Sequence, residues 1–97
     1  AIIVRDNKVI SKETRKGTKE MIKSITKSKI KKGILIKLPK ASQDLRVDLP
    51  SIGIDTFKDC HKVGIKGIVV KSNQNIILNK KVSIKYANQN KLFLIAI

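Results

Sequence analysis

A single α/β domain with a mixed β-sheet and about three helices is the fold this sequence predicts. Three observations carry that expectation. Short aliphatic runs, such as Ile34-Leu35-Ile36, Gly67-Ile68-Val69-Val70 and Leu92-Phe93-Leu94-Ile95, read as buried strands. Between them lie segments whose apolar residues recur at helical spacing, the alternation typical of α/β folds. The chain has 97 residues, 41% of them hydrophobic, which suits one modest core.

The elements follow in order. Ile2–Arg5 and Lys8–Ile10 form a hairpin around Asp6-Asn7, two residues that tolerate positive φ. Gly17-Thr18 opens a helix with Thr18 as N-cap; Met21, Ile22, Ile25 and Ile30 supply its apolar stripe, and Gly33 ends it. Ile34–Leu38 is a central strand stopped by Pro39. After the stretch from Gln43 to Gly53, Asp55 caps a short helix to about Val63, with Phe57 and Cys60 inward and Gly64 as its stop. Gly67–Val70 is the next strand, and Ser72–Asn75 turns the chain into Ile76–Leu78 as its hairpin partner. Asn79 caps a third helix with Val82 and Tyr86 on one face, Asn90 ends it, and the run from Leu92 is the last strand.

Charge narrows the function classes. Twenty-two Lys plus Arg face 7 Asp plus Glu, a net +15, which attracts polyanions: nucleic acid, anionic lipid or phosphorylated substrates. Arginine occurs only at positions 5, 15 and 46, however, and base reading favours arginine. Stacking platforms are scarce, with Phe57, Tyr86 and Phe93 the only aromatics, all expected in the core. A specific nucleic-acid partner is therefore not expected. The single Cys60 excludes an internal disulfide and fits a reducing compartment. No apolar run approaches the ~20 residues that span a bilayer. A secretory signal is missing, and the start at Ala1 inside a strand-like run reads as one end of something longer.

The chemically distinctive stretch is Gln43-Asp44-Leu45-Arg46-Val47-Asp48-Leu49-Pro50, closed by Gly53. In an extended backbone Asp44, Arg46 and Asp48 share one face, with Leu45, Val47 and Leu49 on the other. Carboxylates hold Mg²⁺ through oxygen and a guanidinium forks onto phosphate oxygens, so this face suits a phosphate or a phosphate-bound metal. An edge strand carrying a salt-bridged Asp-Arg-Asp ladder fits the same spacing. His61 has only Asp59 near it at a ligand-like spacing, so a partly exposed helical histidine is expected. Cys60 and His61 are adjacent on a helix and diverge by roughly 100°, poorly placed as nucleophile and base.

Several pieces in order carry a family resemblance: Val4-Arg5-Asp6 leading to Val9-Ile10, Gly17-Thr18, Gly33 through Lys40, Gln43 through Gly53, Asp55-Thr56, Val63 through Ile68, and Leu92-Phe93-Leu94. Together they resemble the C-terminal catalytic domain of the LpxI-type UDP-diacylglucosamine pyrophosphatases of lipid A biosynthesis. The resemblance implies a two-domain enzyme enclosing its substrate, with the N-terminal domain missing from this chain or separately encoded. It implies Mg²⁺-dependent hydrolysis of a UDP-linked diacylated glucosamine to UMP and lipid X, at the cytoplasmic face of the inner membrane as a peripheral protein. An essential aspartate of the family falls on Asp44 or Asp48, which are carried together as catalytic and metal-binding residues. Arg46 and Gln43 would bind substrate phosphate, with Lys37 and Lys40 as point charges and Thr18 offering a helix N-terminus.

The chain departs from the family's Glu-Gly-Thr-Asp pattern at Lys16 and Lys19, while Glu13 keeps an acidic residue. Those two basic positions raise the alternative of a degenerate remnant that binds lipid X or anionic lipid without turnover. A basic nucleic-acid-binding protein is the third reading.

Overall fold

The computed structural model describes residues 1–39 and 51–97. Among these described residues seven strands and three helices follow in the order β1 (Ile2–Arg5), β2 (Lys8–Lys12), α1 (Thr18–Ser24), β3 (Ile34–Lys37), β4 (Ser51–Ile52), α2 (Ile54–Val63), β5 (Gly67–Val70), β6 (Ile76–Ile77), α3 (Lys80–Gln89) and β7 (Phe93–Ala96). The main sheet has the order β2-β1-β3-β5-β7, and β4 with β6 forms a separate two-stranded ribbon. β1 is antiparallel to both β2 and β3, whereas β3, β5 and β7 are parallel, so the sheet is mixed as the sequence predicts.

The β1–β2 turn uses Asp6 and Asn7 at φ 52° and 62°, the left-handed pair that matches strand twist. Ile3, Leu35, Ile68 and Leu94 are cross-strand neighbours on one sheet face. That row meets Met21, Ile22, Phe57, Cys60, Val63 and Ala87 from the three helices to make the core. The opposite face carries Ile2, Val4, Ile34, Ile36, Val69 and Phe93, which are half-buried and lie outside the core cluster. Phe93 lies across Gly67, where an added Cβ would come within 2.3 Å of its ring.

α2 ends as expected at Gly64 in the left-handed region, φ 84°. Its Schellman bonds run from Ile65 N–H to the Cys60 carbonyl (2.9 Å) and from Gly64 N–H to the His61 carbonyl (3.2 Å). A side chain here would meet the Ser28 carbonyl oxygen at 2.3 Å, so glycine also lets two segments touch.

Five local expectations are corrected, the first being Phe93, expected in the core but placed on the opposite sheet face outside the core cluster. β6 is not the hairpin partner of β5: it pairs in parallel with β4, Ser51 opposite Ile76 and Ile52 opposite Ile77. That ribbon turns Ile52 and Ile77 toward the core, an apolar gain that a β5–β6 hairpin would forgo. α1 stops at Ser24, and Ile25 is already extended (φ −86°, ψ 156°). Ile30 is exposed rather than on a core stripe. The cause is Arg5, whose buried guanidinium donates to the carbonyls of Thr26 (2.6 Å), Lys32 (3.1 Å) and Val63 (2.7 Å) and holds residues 26–32 as a non-helical strap. Helix α2 begins after Gly53, not on an Asp55 cap, so Asp55 sits in its first turn. On α3, Ser83 and Ala87 face the core, while Val82 is exposed.

Candidate active site

Parallel strands β3, β5 and β7 all end at one edge of the sheet. The antiparallel β1 begins there, with Ile2 beside Ile36, and Lys12 of β2 lies beside Ile2. Helices α2 and α3, which return the chain between parallel strands, start from the same edge. In open α/β sheets this carboxyl edge is where ligands bind.

Three polar side chains meet there. Lys37, the last residue of β3, shares the helix-side row of Leu35, and its ammonium donates to Thr18 Oγ1 at 3.1 Å. Thr18 Oγ1 in turn donates to Glu13 Oε1. Glu13 follows β2, bonds its N–H to the Ala1 carbonyl (2.8 Å), and has its other carboxylate oxygen 3.7 Å from the Ala1 nitrogen. A hydroxyl thus links a nearly covered carboxylate to an ammonium. Lys37 retains further N–H donors for a phosphoryl oxygen, since an ammonium carries three. Its position is fixed by a strand end and by Thr18 rather than by a free side chain.

Thr18 is not the N-cap. Gly17 takes that place at φ 92° and ψ 177°, a conformation nearly confined to glycine, and no side chain caps the helix. Thr18 is freed for the Glu13–Lys37 link. Sequence reasoning placed Thr18 and Lys37 in the site but not Glu13; its spacing of five from Thr18, across a Gly-containing turn, is the signal that could have added it. Lys16 and Lys19, flanking this turn, are both exposed. Gln43, Asp44, Arg46, Asp48 and Lys40 lie outside the described residues. They belong to segment 40–50, which joins Lys37-Leu38-Pro39 to β4.

Among the described residues no group of three or more His, Cys, Asp or Glu is arranged to hold a metal ion.

Cys60 is fully buried, and burial, with the Asp59 carboxylate adding to it, pushes its thiol up to about 12. It is no nucleophile at neutral pH. Native protein at pH 8 is expected to resist iodoacetamide while the urea-unfolded chain is alkylated; fast native labelling would contradict this environment. The sign for stability follows. The folded thiol holds its proton more tightly than a free one at 9.0, so this contribution is intact below pH 9 and is lost as pH rises toward 12. His61 packs edge-on against Tyr86, ring centroids 6.1 Å apart, which is a structural contact.

These features define a helix-backed α/β domain whose polar groups gather where its parallel strands end. The chain belongs to the LpxI family: residues 1–95 match the model of the LpxI C-terminal domain. It is 27% identical over 103 residues to the UDP-2,3-diacylglucosamine pyrophosphatase LpxI of Caulobacter vibrioides. That similarity covers 98% of this chain and 37% of the relative, so the chain spans a little over a third of that protein's length.

Proposed function

We propose that this chain is the catalytic part of a lipid A biosynthetic hydrolase that cleaves the pyrophosphate of UDP-2,3-diacylglucosamine to UMP and lipid X. It would act together with the family's N-terminal domain, on the cytoplasmic side of the inner membrane. The observation that carries the reading is the family match over residues 1–95, joined to a positioned cation, Lys37, at the carboxyl edge, six residues ahead of the acidic-basic stretch in the sequence. Water adds its oxygen to one phosphorus, the bridging P–O bond breaks, and the bridging oxygen leaves with the other phosphate. The obstacle is crowded negative charge. Lys37 is assigned to the non-bridging oxygens, with Arg46, Gln43 and Lys40 assisting from segment 40–50. Asp44 and Asp48 would hold Mg²⁺, which supplies charge neutralisation and a more acidic bound water when present.

The test is UMP release from the diacylated substrate with Mg²⁺, using this chain with the N-terminal domain of a family member. Asp44→Ala and Asp48→Ala, made singly, are each expected to lower turnover, the essential one by at least about 100-fold. Unchanged turnover in both would remove the role given to that segment. Lys16 and Lys19 favour a second reading, a copy that holds lipid X without hydrolysing it. It predicts saturable lipid X binding without UMP release, and recovery of turnover in Lys16→Glu/Lys19→Asp.

A further inference from the structure

The two edge strands of the main sheet, β2 and β7, are built differently. An open edge presents unpaired N–H and C=O groups that recruit further strands, and lysines, bulges or proline normally blunt it. β2 has such guards: Lys8 and Lys12 are exposed along it, and its register with β1 shifts between Ile3 and Val4. β7 has none. It lies in the run Leu92-Phe93-Leu94-Ile95-Ala96-Ile97, which holds neither charge nor proline, and it pairs with β5 in unbroken register. Ile95 and Ile97 are 47% and 59% exposed. Phe93 N–H donates to the Lys66 carbonyl (3.1 Å), Ile97 N–H to the Val70 carbonyl (2.9 Å) and Ser72 N–H to the Ile97 carbonyl (2.7 Å). Residues 93, 95 and 97 therefore bond toward β5. The alternation of a parallel ladder then turns the N–H and C=O groups of Leu94 and Ala96 to the outer side. Among the described residues no strand pairs with that side.

We infer that β7 is a dimerisation edge, pairing antiparallel with β7 of a second copy about a two-fold axis to join the two five-stranded sheets. The outward groups are self-complementary in that arrangement. Leu94 stands opposite the partner's Ala96, and each such pair exchanges both of its backbone hydrogen bonds. Ile95 meets its own copy at the axis, a cross-strand aliphatic contact. Charge selects the occupant among edges of this chain. β7 brings no ammonium against its copy, although the whole chain is +15. Pairing β7 with β2 would lay Lys8 and Lys12 along an apolar strand, and as a head-to-tail contact it would grow filaments rather than close. An edge contact of about five residues a side is small beside the roughly 1,200 Å² of stable interfaces, so the dimer is weak and concentration-dependent. Salt should strengthen it, because repulsion between two +15 chains is screened while backbone bonds and apolar contact are not. The inference does not depend on the hydrolase reading.

The experiment is sedimentation velocity of the 97-residue chain, from about 10 μM to about 1 mM, at about 0.1 M and 0.5 M salt. A monomer–dimer equilibrium is expected, with the dimer fraction rising with concentration and with salt. Amide exchange at Leu94 and Ala96 should slow as the dimer forms, while the amides of β2 do not respond. Ala96→Pro removes one outward N–H from each copy and leaves the inward bonds of residues 95 and 97 in place. It is expected to weaken the dimer at least about tenfold, the scale of two lost backbone hydrogen bonds. Circular dichroism reports whether this variant is folded; if it is not, the exchange of the parent decides. Ile36→Thr on the open sheet face and Val9→Lys on β2 are expected to leave the dimer unchanged. A parent that stays monomeric throughout, exchange at Leu94 and Ala96 that ignores concentration, or a folded Ala96→Pro that dimerises like the parent would overturn the inference. So would a dimer lost on Ile36→Thr, which gives the interface to the sheet face, or larger species that Val9→Lys disperses, which gives it to β2.

Discussion

Arg5→Met is expected to destabilise the domain by about 3–5 kcal/mol, a large part of the ~5–15 kcal/mol that holds a small domain together. Arg5 is 7% exposed and lies in the core-facing row of β1 with Ile3. Its three nitrogens bond three carbonyls from different parts of the chain: Thr26, Lys32 and Val63. Methionine fills similar space but donates nothing. The Val63 carbonyl keeps the Ser28 N–H at 3.0 Å, whereas Thr26 and Lys32 lose their guanidinium donors. Both of those bonds are part-buried, and each carbonyl left unsatisfied there costs up to about 1–3 kcal/mol. Arg5→Lys should fall between, because an ammonium presents a point charge rather than a planar fork. Urea unfolding followed by circular dichroism reads the loss directly. With a slope of about 1–3 kcal/mol per molar, the midpoint should drop by roughly 2 M. A midpoint within about 0.3 M of the parent would mean that the strap over residues 26–32 holds itself.

The same arginine explains where sequence reasoning stopped. Apolar runs and turn residues were enough for the mixed sheet, the Asp6-Asn7 hairpin, the inward Phe57 and Cys60, and the Gly64 stop of α2. These are local signals, each contained within a few residues. The end of α1 was not local. Met21, Ile22, Ile25 and Ile30 keep helical spacing, yet a guanidinium 21 and 27 residues upstream takes the Thr26 and Lys32 carbonyls and the helix yields. An arginine in the inward register of Ile2-Ile3-Val4-Arg5 was the available warning. Strand pairing failed for a related reason. Ser72–Asn75 has the composition of a hairpin turn, but Ile77 gains more burial by crossing to β4, a partner set by tertiary packing. Thr18 was singled out as a helix N-terminus and Lys37 as a point charge, each without reference to the other. Their bond, and the part of Glu13, required the fold that brings the end of β3 beside the start of α1.

That bond gives the activity prediction its form. If the hydrolase reading is right, Lys37→Met in this chain paired with a family N-terminal domain should lower turnover by about 100-fold, the usual loss on removing one donor from developing phosphoryl charge. Methionine retains the apolar stem on the helix side of β3, so packing survives and the charge alone is removed. On that reading Thr18 would act through Lys37, as a positioning residue. Thr18→Val preserves shape but removes the oxygen 3.1 Å from the ammonium, and the expected loss is about tenfold. Thr18→Ser, which restores a hydroxyl, should recover most of it, an outcome that a purely structural threonine would not require. The double variant Thr18→Val/Lys37→Met separates coupled from independent roles. Once the ammonium is gone there is nothing for the hydroxyl to aim, so the double should turn over no more slowly than Lys37→Met alone. Fully multiplied losses, about 1,000-fold together, would show that Thr18 and Lys37 act apart and would dissolve the Glu13–Thr18–Lys37 link as a functional unit.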